Sequence, residues 1–343
     1  MHRPRSVESA DVARRRVLAR VDFNVPLEDG RVADDTRITA ALPTIRLLLE
    51  RDAAEVVLMS HLGRPKGPDP AFSLAPVESR LRELLPDERI RLLENARFDP
   101  RETANDPEYA RELAAHGDLF VNDAFGSAHR AHASTEGVAH LLPAYAGLLL
   151  LRELDELGSL LESPERPFVA VLGGAKVADK VGVLESLAKR ADTLLIGGKM
   201  AEEVDRSAGY ELPEDVVAAA AFEPDAESQI VAWDRVPDGW LGLDIGPATR
   251  ERYAARIAEA RTVFWNGPMG VFEWPRFGEG TKVVAEAVAA ADAHTVVGGG
   301  DSVRAVEELG LADRIDWIST GGGASLELLE GKELPGVVAI PAA

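Results

Sequence analysis

The chain has 343 residues, more than one hydrophobic core usually fills, so two domains are expected. It contains no cysteine, which excludes disulfides and thiolate sites, and its net charge of −20 argues against binding to nucleic acid. No apolar run is long enough to span a membrane, and the first residues lack the apolar core of a signal peptide, so we expect a cytoplasmic protein without a membrane partner.

Short apolar runs alternate with longer helical patterns along the whole chain, which is typical of parallel α/β domains. Each run ends in polar residues or glycines. Nine runs predict strands, in chain order: RVLARVDFNVP, EVVLMSHLGRP, RLLENARF, LFVNDAFG, FVAVLGGAK, TLLIGGKMA, TVFWNGPMG, TVVGGGDS and DWISTGGGAS. Ligands of open parallel sheets bind beyond the carboxyl ends of the strands, so we expect the functional residues at these polar ends.

The strands before about Tyr145 end in charged and polar side chains. They include Arg20, Asp22, Asn24, Arg37, His61, Arg64, Arg97, Asn122, Asp123, Arg130 and His132. Any one of these arginines could be an ordinary surface residue. Because the arginine fork suits carboxylate and phosphate, five arginines in an acidic chain predict a pocket for a small, highly anionic substrate. A metal site at His129 and His132 is a weaker alternative, since no carboxylate–histidine signature accompanies them.

A helical segment separates the strands that end in charged and polar side chains from the strands of the second half of the chain. The pattern LLLLRELDELGSLLESPERP has helical periodicity and ends near Pro164 and Pro167. It predicts an interdomain helix over 148–163, between a first domain over 1–147 and a second over 164–331.

Glycines follow the strands of the second half. VLGGAKVADK, VVGGGDS and ISTGGGAS can each place backbone N–H groups at a helix N-terminus, where anions bind, although tight turns would also explain single cases. Lys176 and Lys180 are four residues apart, which predicts one shared helix face. No P-loop and no G-x-G-x-x-G after a strand is present, which disfavours a nicotinamide-dependent dehydrogenase.

Nine motifs together resemble those of the phosphoglycerate kinase family, in the family's order and over nearly the whole chain: RVDFNVPLEDGRVADDTRI, SHLGRPKG, LLENARF, VNDAFGSAHRAHAST, LGGAKVADK, GLDIGP, WNGPMGVFE, VVGGGDS and ISTGGGASLELLEGKELPG. The resemblance implies two Rossmann-like three-layer α/β domains, with parallel sheets facing each other across a hinged cleft. It implies that the tail, 332–343, returns to the first domain. The activity would be reversible phosphoryl transfer between 1,3-bisphosphoglycerate with ADP and 3-phosphoglycerate with ATP, using Mg²⁺, in a monomer.

The resemblance also implies roles for individual residues. Substrate binding falls to Asp22, Phe23, Asn24, Arg37, His61, Leu62, Gly63, Arg64, Arg97 and Arg130. Nucleotide binding falls to Gly174, Ala175, Lys180, Gly197, Gly198, Asn266, Glu273, Gly299, Gly300, Asp301 and Ser302, with Asp301 also holding the metal. Transition-state charge would be neutralised by Arg37, Lys176, Lys180 and the N–H groups of Gly321, Gly322 and Gly323.

The sequence departs from the family pattern at three places. One block is shortened between RELLPDER and IRLLENARF, and another after LLIGGKMAEEV. Lys199 stands where the family usually has a third glycine, so it would contact a nucleotide or, as we favour, point to solvent. Both shortened blocks spare the motifs, which favours an active enzyme; a catalytically weak nucleotide-binding scaffold on the same fold is the alternative.

Overall fold

The computed structural model of the chain describes residues 2–343 except 177, 179, 206 and 207. It divides into two compact units. Unit 1 comprises Met1–Asp155 and Lys332–Ala343, and unit 2 comprises Glu156–Gly331.

The helices and strands alternate through both units. The helices are α1 (Thr36–Glu50), α2 (Ala75–Leu84), α3 (Pro107–Ala114), α4 (Leu148–Glu162), α5 (Val181–Ala188), α6 (Met200–Glu203), α7 (Pro247–Ala258), α8 (Glu279–Ala290), α9 (Gly300–Glu308), α10 (Gly323–Leu329) and α11 (Pro335–Val338). The strands are β1 (Arg16–Arg20), β2 (Leu27–Glu28), β3 (Arg31–Val32), β4 (Glu55–Met59), β5 (Ile90–Leu92), β6 (Leu119–Asn122), β7 (Ala144–Ala146), β8 (Phe168–Leu172), β9 (Thr193–Ile196), β10 (Asp215–Ala219), β11 (Ser228–Ala232), β12 (Leu241–Ile245), β13 (Thr262–Asn266), β14 (His294–Gly298) and β15 (Trp317–Ile318).

Unit 1 is built on a parallel sheet with the strand order β5-β4-β1-β6-β7. All four residues of β6 are buried, and so are four of the five residues of β1 and of β4. Burial on both faces explains why these strands read as continuous apolar runs rather than as alternating patterns. Because the strands are parallel, their polar ends meet at one edge of the sheet.

Unit 2 repeats this plan with a parallel sheet in the order β15-β14-β13-β8-β9. Every residue of β8 and of β13 is buried. The two sheets confirm the predicted parallel α/β architecture, and all nine predicted strands are present.

The sequence reading missed the remaining strands of both units. A three-stranded antiparallel sheet in the order β11-β10-β12 lies in unit 2, and β7 forms the edge of the first sheet. Most of β11 is at least partly exposed, so it lacks the apolar run on which the prediction of strands relied. Among the residues described, no helix is long and apolar enough to cross a membrane.

Two neighbouring residues at the end of β6 form hydrogen bonds to two other segments of the chain, the start of α4 and the C-terminal segment. Asp123 Oδ1 accepts hydrogen bonds from the N–H groups of Leu149 and Leu150 in the first turn of α4, at 2.9 and 3.2 Å. Asn122 Nδ2 donates to the Gly336 carbonyl of the C-terminal segment at 2.9 Å. Both residues were predicted from their position as site residues, whereas the structure uses them to anchor the backbone.

The carboxyl of Asp123 should make folding stability depend on pH. Its complete burial raises its pKa from an ordinary value of 3.8 to about 7. The folded state therefore holds the proton more tightly than the unfolded state, and this contribution to stability is lost as pH rises from about 4 through about 7. Asp123→Asn keeps an acceptor for α4 but cannot ionise. As pH rises across that interval, the free energy of unfolding of Asp123→Asn should therefore increase relative to that of the wild type.

Far-UV circular dichroism in urea, at several pH values, measures this difference on the full chain. Asp123→Ala is the matched variant, because it also cannot ionise but removes the acceptor, so it should be about 1–2 kcal/mol less stable than Asp123→Asn at any pH. A constant difference between wild type and Asp123→Asn from pH 4 to pH 8 would contradict the prediction.

Candidate active site

The predicted substrate residues of unit 1 come together at the carboxyl edge of its sheet. Asp22 follows β1, His61 follows β4, Arg97 lies on the turn after β5, and Arg130 follows β6. These four strands are neighbours in the sheet, so residues far apart in the sequence become adjacent. The sheet order therefore assembles one polar site from four separate motifs.

Asp22 and Arg37 form a partly buried ion pair within this site. Arg37 Nη1 donates to Asp22 Oδ2 at 2.8 Å. Burial opposes ionisation of Asp22, but the charge of Arg37, with a smaller effect from Arg20, outweighs it and keeps the pKa of Asp22 below its ordinary value. The Asp22 carboxylate is thus ionised and holds Arg37, in the first turn of α1, against the end of β1.

The loop after β4 is fixed by two asparagines. Asn24 Oδ1 accepts from the N–H of Gly63 at 2.8 Å, and Asn95 Nδ2 donates to the carbonyl of Leu62 at 2.8 Å. A Cβ at Gly63 would lie 2.3 Å from the ring of Phe72, so only glycine fits there. Asn24, predicted to bind substrate, therefore orients this loop, and the sequence analysis missed Asn95.

The positively charged side chains of this site outnumber the negatively charged side chains that could neutralise them. Burial, followed by repulsion from Arg20 and Arg130, lowers the pKa of Arg97 to about 10. Its Nε is buried and has no hydrogen-bond partner among the described residues. Burial, followed by repulsion from Arg97, Arg20 and Arg130, lowers the pKa of His132 to about 4. This excess of positive charge, inside a chain with a net charge of −20, suits an anionic ligand.

Three of the predicted substrate residues have simpler surroundings. Arg64 and Arg130 are exposed, and Arg130 donates through Nε to His129 at 3.0 Å. Phe23 is fully buried, and its N–H donates to Ser60 Oγ at 2.8 Å. Phe23 thus contributes its backbone and its packing to the site rather than an exposed side chain.

Unit 2 carries a pocket of about 450 Å³ at the carboxyl edge of its own parallel sheet. It is lined by Gly174, Ala175, Lys176, Lys180, Asn266, Gly267, Pro268, Gly299, Gly300, Asp301, Gly322, Gly323 and Leu326. Both triple-glycine turns border this pocket. The prediction that each turn joins a strand to a helix is confirmed, because β14 leads to α9 and β15 leads to α10.

The helix predicted to carry both lysines does not include them. Helix α5 begins at Val181 and Lys180 is its N-cap residue, so the shared helix face predicted for Lys176 and Lys180 is wrong. Both lysines nevertheless line the pocket, and Lys180 Nζ donates to the carbonyl oxygens of Gly173 and Asn266 at 2.7 and 3.2 Å. Val177 and Asp179 of this motif lie outside the described residues.

Several polar groups hold or border the glycine turns. Asn266 Nδ2 is buried without a protein partner among the described residues, next to Gly299. Ser302 Oγ accepts from the N–H of Gly267 at 2.6 Å, and the Gly321 N–H donates to Ser319 Oγ at 3.2 Å. Of the three glycines predicted to offer backbone donors, Gly322 and Gly323 line the pocket, whereas the Gly321 N–H is already engaged.

The remaining predicted nucleotide residues do not line this pocket. The Gly198 N–H donates to the carbonyl of Met269 at 3.0 Å, and the Gly197 N–H donates to the carbonyl of Leu172 at 2.9 Å. Glu273 faces Arg304, whose Nη1 lies 3.8 Å from Glu273 Oε1. The Lys199 side chain is exposed.

The described residues include no group of three or more His, Asp or Glu side chains that could hold a metal ion. Among the residues that the structure describes, Asp301, in the first turn of α9, is the one acidic residue that lines the pocket. A single carboxylate suits Mg²⁺ when phosphate oxygens of a ligand complete the coordination.

Known proteins match this chain along almost its entire length. A family model described as phosphoglycerate kinase matches residues 7–91, 85–212 and 202–332. A curated phosphoglycerate kinase from Chloroflexus aurantiacus is 52% identical, and so is one from Moorella thermoacetica, each match covering 98% of both chains. The solved phosphoglycerate kinase structures from Coxiella burnetii and Pyrococcus horikoshii have TM-scores of 0.89 and 0.84, at 37% and 30% identity, and each covers 98% of both chains.

The comparisons also support the prediction that two blocks of the chain are shortened relative to the family pattern. The match to the Chloroflexus aurantiacus protein runs over 394 positions, so at least 394 − 343 = 51 of them have no residue in this chain. The family model matches in three segments that overlap at 85–91 and at 202–212, and these are the two places where the motifs indicated missing residues.

Gly299 should not tolerate a side chain, unlike its neighbour. Its φ is +87°, and a Cβ would lie 2.9 Å from Asn266 Nδ2, whereas nothing lies within 4 Å of a Cβ at Gly300. Gly299→Ala should therefore destabilise unit 2 by about 1–3 kcal/mol, and Gly300→Ala should not.

Urea unfolding followed by tryptophan fluorescence reports on unit 2, because all five tryptophans lie between positions 233 and 317. Equal unfolding midpoints for the two alanine variants would show that the backbone of this turn is not constrained as the structure indicates.

Proposed function

The chain belongs to the phosphoglycerate kinase family, and we propose that it transfers a phosphoryl group reversibly between 1,3-bisphosphoglycerate with ADP and 3-phosphoglycerate with ATP. The observation that carries the proposal is the pair of sites, one at the carboxyl edge of each parallel sheet, with chemistry that suits one substrate each. A role in glycolysis and gluconeogenesis, as a monomer in the cytoplasm, belongs to the same proposal.

The site of unit 1 is assigned to the glycerate substrate. Arg97 and Arg130 supply guanidinium groups for its phosphate and carboxylate, and Arg64, which is exposed in the loop after β4, is assigned to the same substrate. The uncompensated positive charge around Arg97 favours a ligand with several negative charges.

The pocket of unit 2 is assigned to the nucleotide. Backbone N–H groups of the glycine turns, the amide of Asn266 and the ammonium groups of Lys176 and Lys180 suit its phosphates. Asp301 would hold Mg²⁺ against those phosphates, and the ion would neutralise part of their charge.

The chemistry of the proposed step needs charge neutralisation rather than proton transfer. In the ATP-consuming direction, an oxygen of the 3-phosphoglycerate carboxylate forms a bond to the γ-phosphorus while the bond from that phosphorus to the β–γ bridging oxygen breaks. The carboxylate is already ionised at neutral pH, so no general base is required. Arg37, Lys176 and Lys180 are assigned to the charge of the transferring group.

The acceptor carboxylate and the donor phosphate must approach within bonding range. The proposal therefore includes closure of the two domains during turnover, which would also exclude water and suppress ATP hydrolysis.

A coupled assay tests the activity itself. Oxidation of NADH by glyceraldehyde-3-phosphate dehydrogenase should require the protein, ATP and 3-phosphoglycerate together. Absence of turnover at high protein concentration would overturn the proposed function and would favour the alternative, a catalytically weak nucleotide-binding scaffold on the same fold.

Arg37→Ala should lower kcat by about 10²–10³-fold, as expected when one donor to the transition state is lost. Arg46→Ala, on the exposed side of the same helix α1, is the matched control and should retain wild-type kcat. The coupled assay measures both, with far-UV circular dichroism to show that each variant is folded. Wild-type kcat in Arg37→Ala would remove Arg37 from the proposed step.

Asp301→Asn should raise the Mg²⁺ concentration needed for half-maximal rate, because a neutral amide is a weaker magnesium ligand than a carboxylate. A Mg²⁺ titration of the assay at fixed ATP measures this requirement. Asp313→Asn, an exposed position in the same unit, controls for the loss of one negative charge. If the two variants have the same Mg²⁺ requirement, Asp301 is not the metal ligand.

A further inference from the structure

A buried arginine connects the glycerate site to residues outside it. Arg20 is 1% exposed and ends β1. Its Nε donates to Ser134 Oγ at 2.8 Å, and its Nη2 lies 2.9 Å from His61 Nδ1. Nη1 donates to the Val21 carbonyl. Each nitrogen of the guanidinium therefore has a defined acceptor.

Glu102 completes this chain of hydrogen bonds. Its two carboxylate oxygens accept from the N–H and from the hydroxyl of Ser134, at 3.0 and 2.6 Å. Glu102 and Ser134 are both fully buried. The chain runs from Glu102 through Ser134 and Arg20 to His61, and neither Glu102 nor Ser134 belongs to the residues assigned to substrate above.

The chemistry of these groups fixes the direction of every bond. Arg20 Nε can only donate, so an oxygen lone pair of Ser134 faces Arg20, and the single hydroxyl proton of Ser134 points to Glu102. A guanidinium only donates, so His61 Nδ1 must accept. The ring proton of His61 is therefore on Nε2.

Nε2 of His61 makes no hydrogen bond to the protein within the part of the chain that the structure describes. Burial, followed by the charge of Arg20, lowers the pKa of His61 well below its ordinary value, so the ring stays neutral near neutral pH. His61 consequently carries one N–H donor, on the nitrogen that Arg20 does not engage.

We propose that Glu102 and Ser134 are positioning residues for the glycerate substrate, which hold Arg20 so that His61 presents a neutral Nε2–H donor to an anionic oxygen. The inference rests on the proposed function for the identity of that ligand. A purely structural network of buried polar groups would change stability when it is broken, but it would not require a change in the His61 tautomer or in one substrate's KM.

Histidine side-chain ¹⁵N NMR of the full chain tests the tautomer directly. The chain has seven histidines, and the His61→Gln variant assigns the signals of His61. The wild type should show a protonated Nε2 and an unprotonated Nδ1 on His61. A proton on Nδ1 in the wild type would overturn the inference.

Ser134→Ala tests the link through the hydroxyl. We expect a mixture of His61 tautomers and a KM for 3-phosphoglycerate raised about tenfold, as for one hydrogen bond lost to a charged group. The KM for ATP and kcat should change little. The control is Ser186→Ala, because Ser186 is also buried and its Oγ also accepts from an arginine, Arg190 Nη1, at 3.0 Å in unit 2. Identical behaviour of the two variants would overturn the positioning role.

Glu102→Gln provides the second variant if Ser134→Ala does not fold. Its single carbonyl oxygen can accept only one of the two Ser134 donors at full strength, so the same two changes are expected. A wild-type tautomer and a wild-type KM for 3-phosphoglycerate in a folded Glu102→Gln would overturn the role of Glu102.

The NMR measurement needs no turnover, which separates this inference from the proposed function. A wild type without 3-phosphoglycerate-dependent activity overturns the function, and the His61 tautomers of wild type and Ser134→Ala then decide the positioning role. An active wild type whose His61 is unaffected by Ser134→Ala overturns the positioning role alone.

Discussion

The buried guanidinium of Arg20 is the constraint on which the first site depends. A cation without access to water must be fully hydrogen-bonded and must have a counter-charge nearby, or the fold loses several kcal/mol. Its donors fix Val21, Ser134 and His61, and Glu102 lies behind Ser134 as the counter-charge. The ends of β1 and β4 and the turn after β6 are thereby held to one another at the edge where the anion-binding groups lie.

Around this arginine, positive charge is concentrated rather than neutralised. Asp22 is engaged with Arg37, and Arg97 keeps a buried Nε without a protein partner among the described residues. A surface designed only for stability would pair these cations, since repulsion between them disfavours their charged forms. The arrangement makes physical sense when an anionic ligand supplies the missing charge.

The second site uses the backbone where the first uses side chains. Its pocket is bordered by two strand–glycine–helix turns. Ser319 holds the second turn through the N–H of Gly321, whereas Ser302 and Lys180 bond to backbone groups of Gly267 and Gly173. The two turns differ by one carboxylate, because Asp301 follows Gly300 whereas Ala324 follows Gly323. The first turn can therefore hold a cation together with phosphates, and the second offers N–H donors without a competing negative charge.

The sequence by itself determined the two parallel sheets, the polar ends of their strands and the glycine turns, because buried strands and positive-φ turns leave local signals. It also predicted which arginines would gather, since neighbouring strands of a parallel sheet end at one edge. It placed Lys176 and Lys180 on a helix that begins only at Val181, because the pattern cannot show where a glycine turn stops. Only the tertiary structure decided that Glu102 and Ser134 support the site. Ser134 lies 114 positions from Arg20 in the chain, and hydrogen bonds between such distant side chains leave no periodicity that a sequence can reveal.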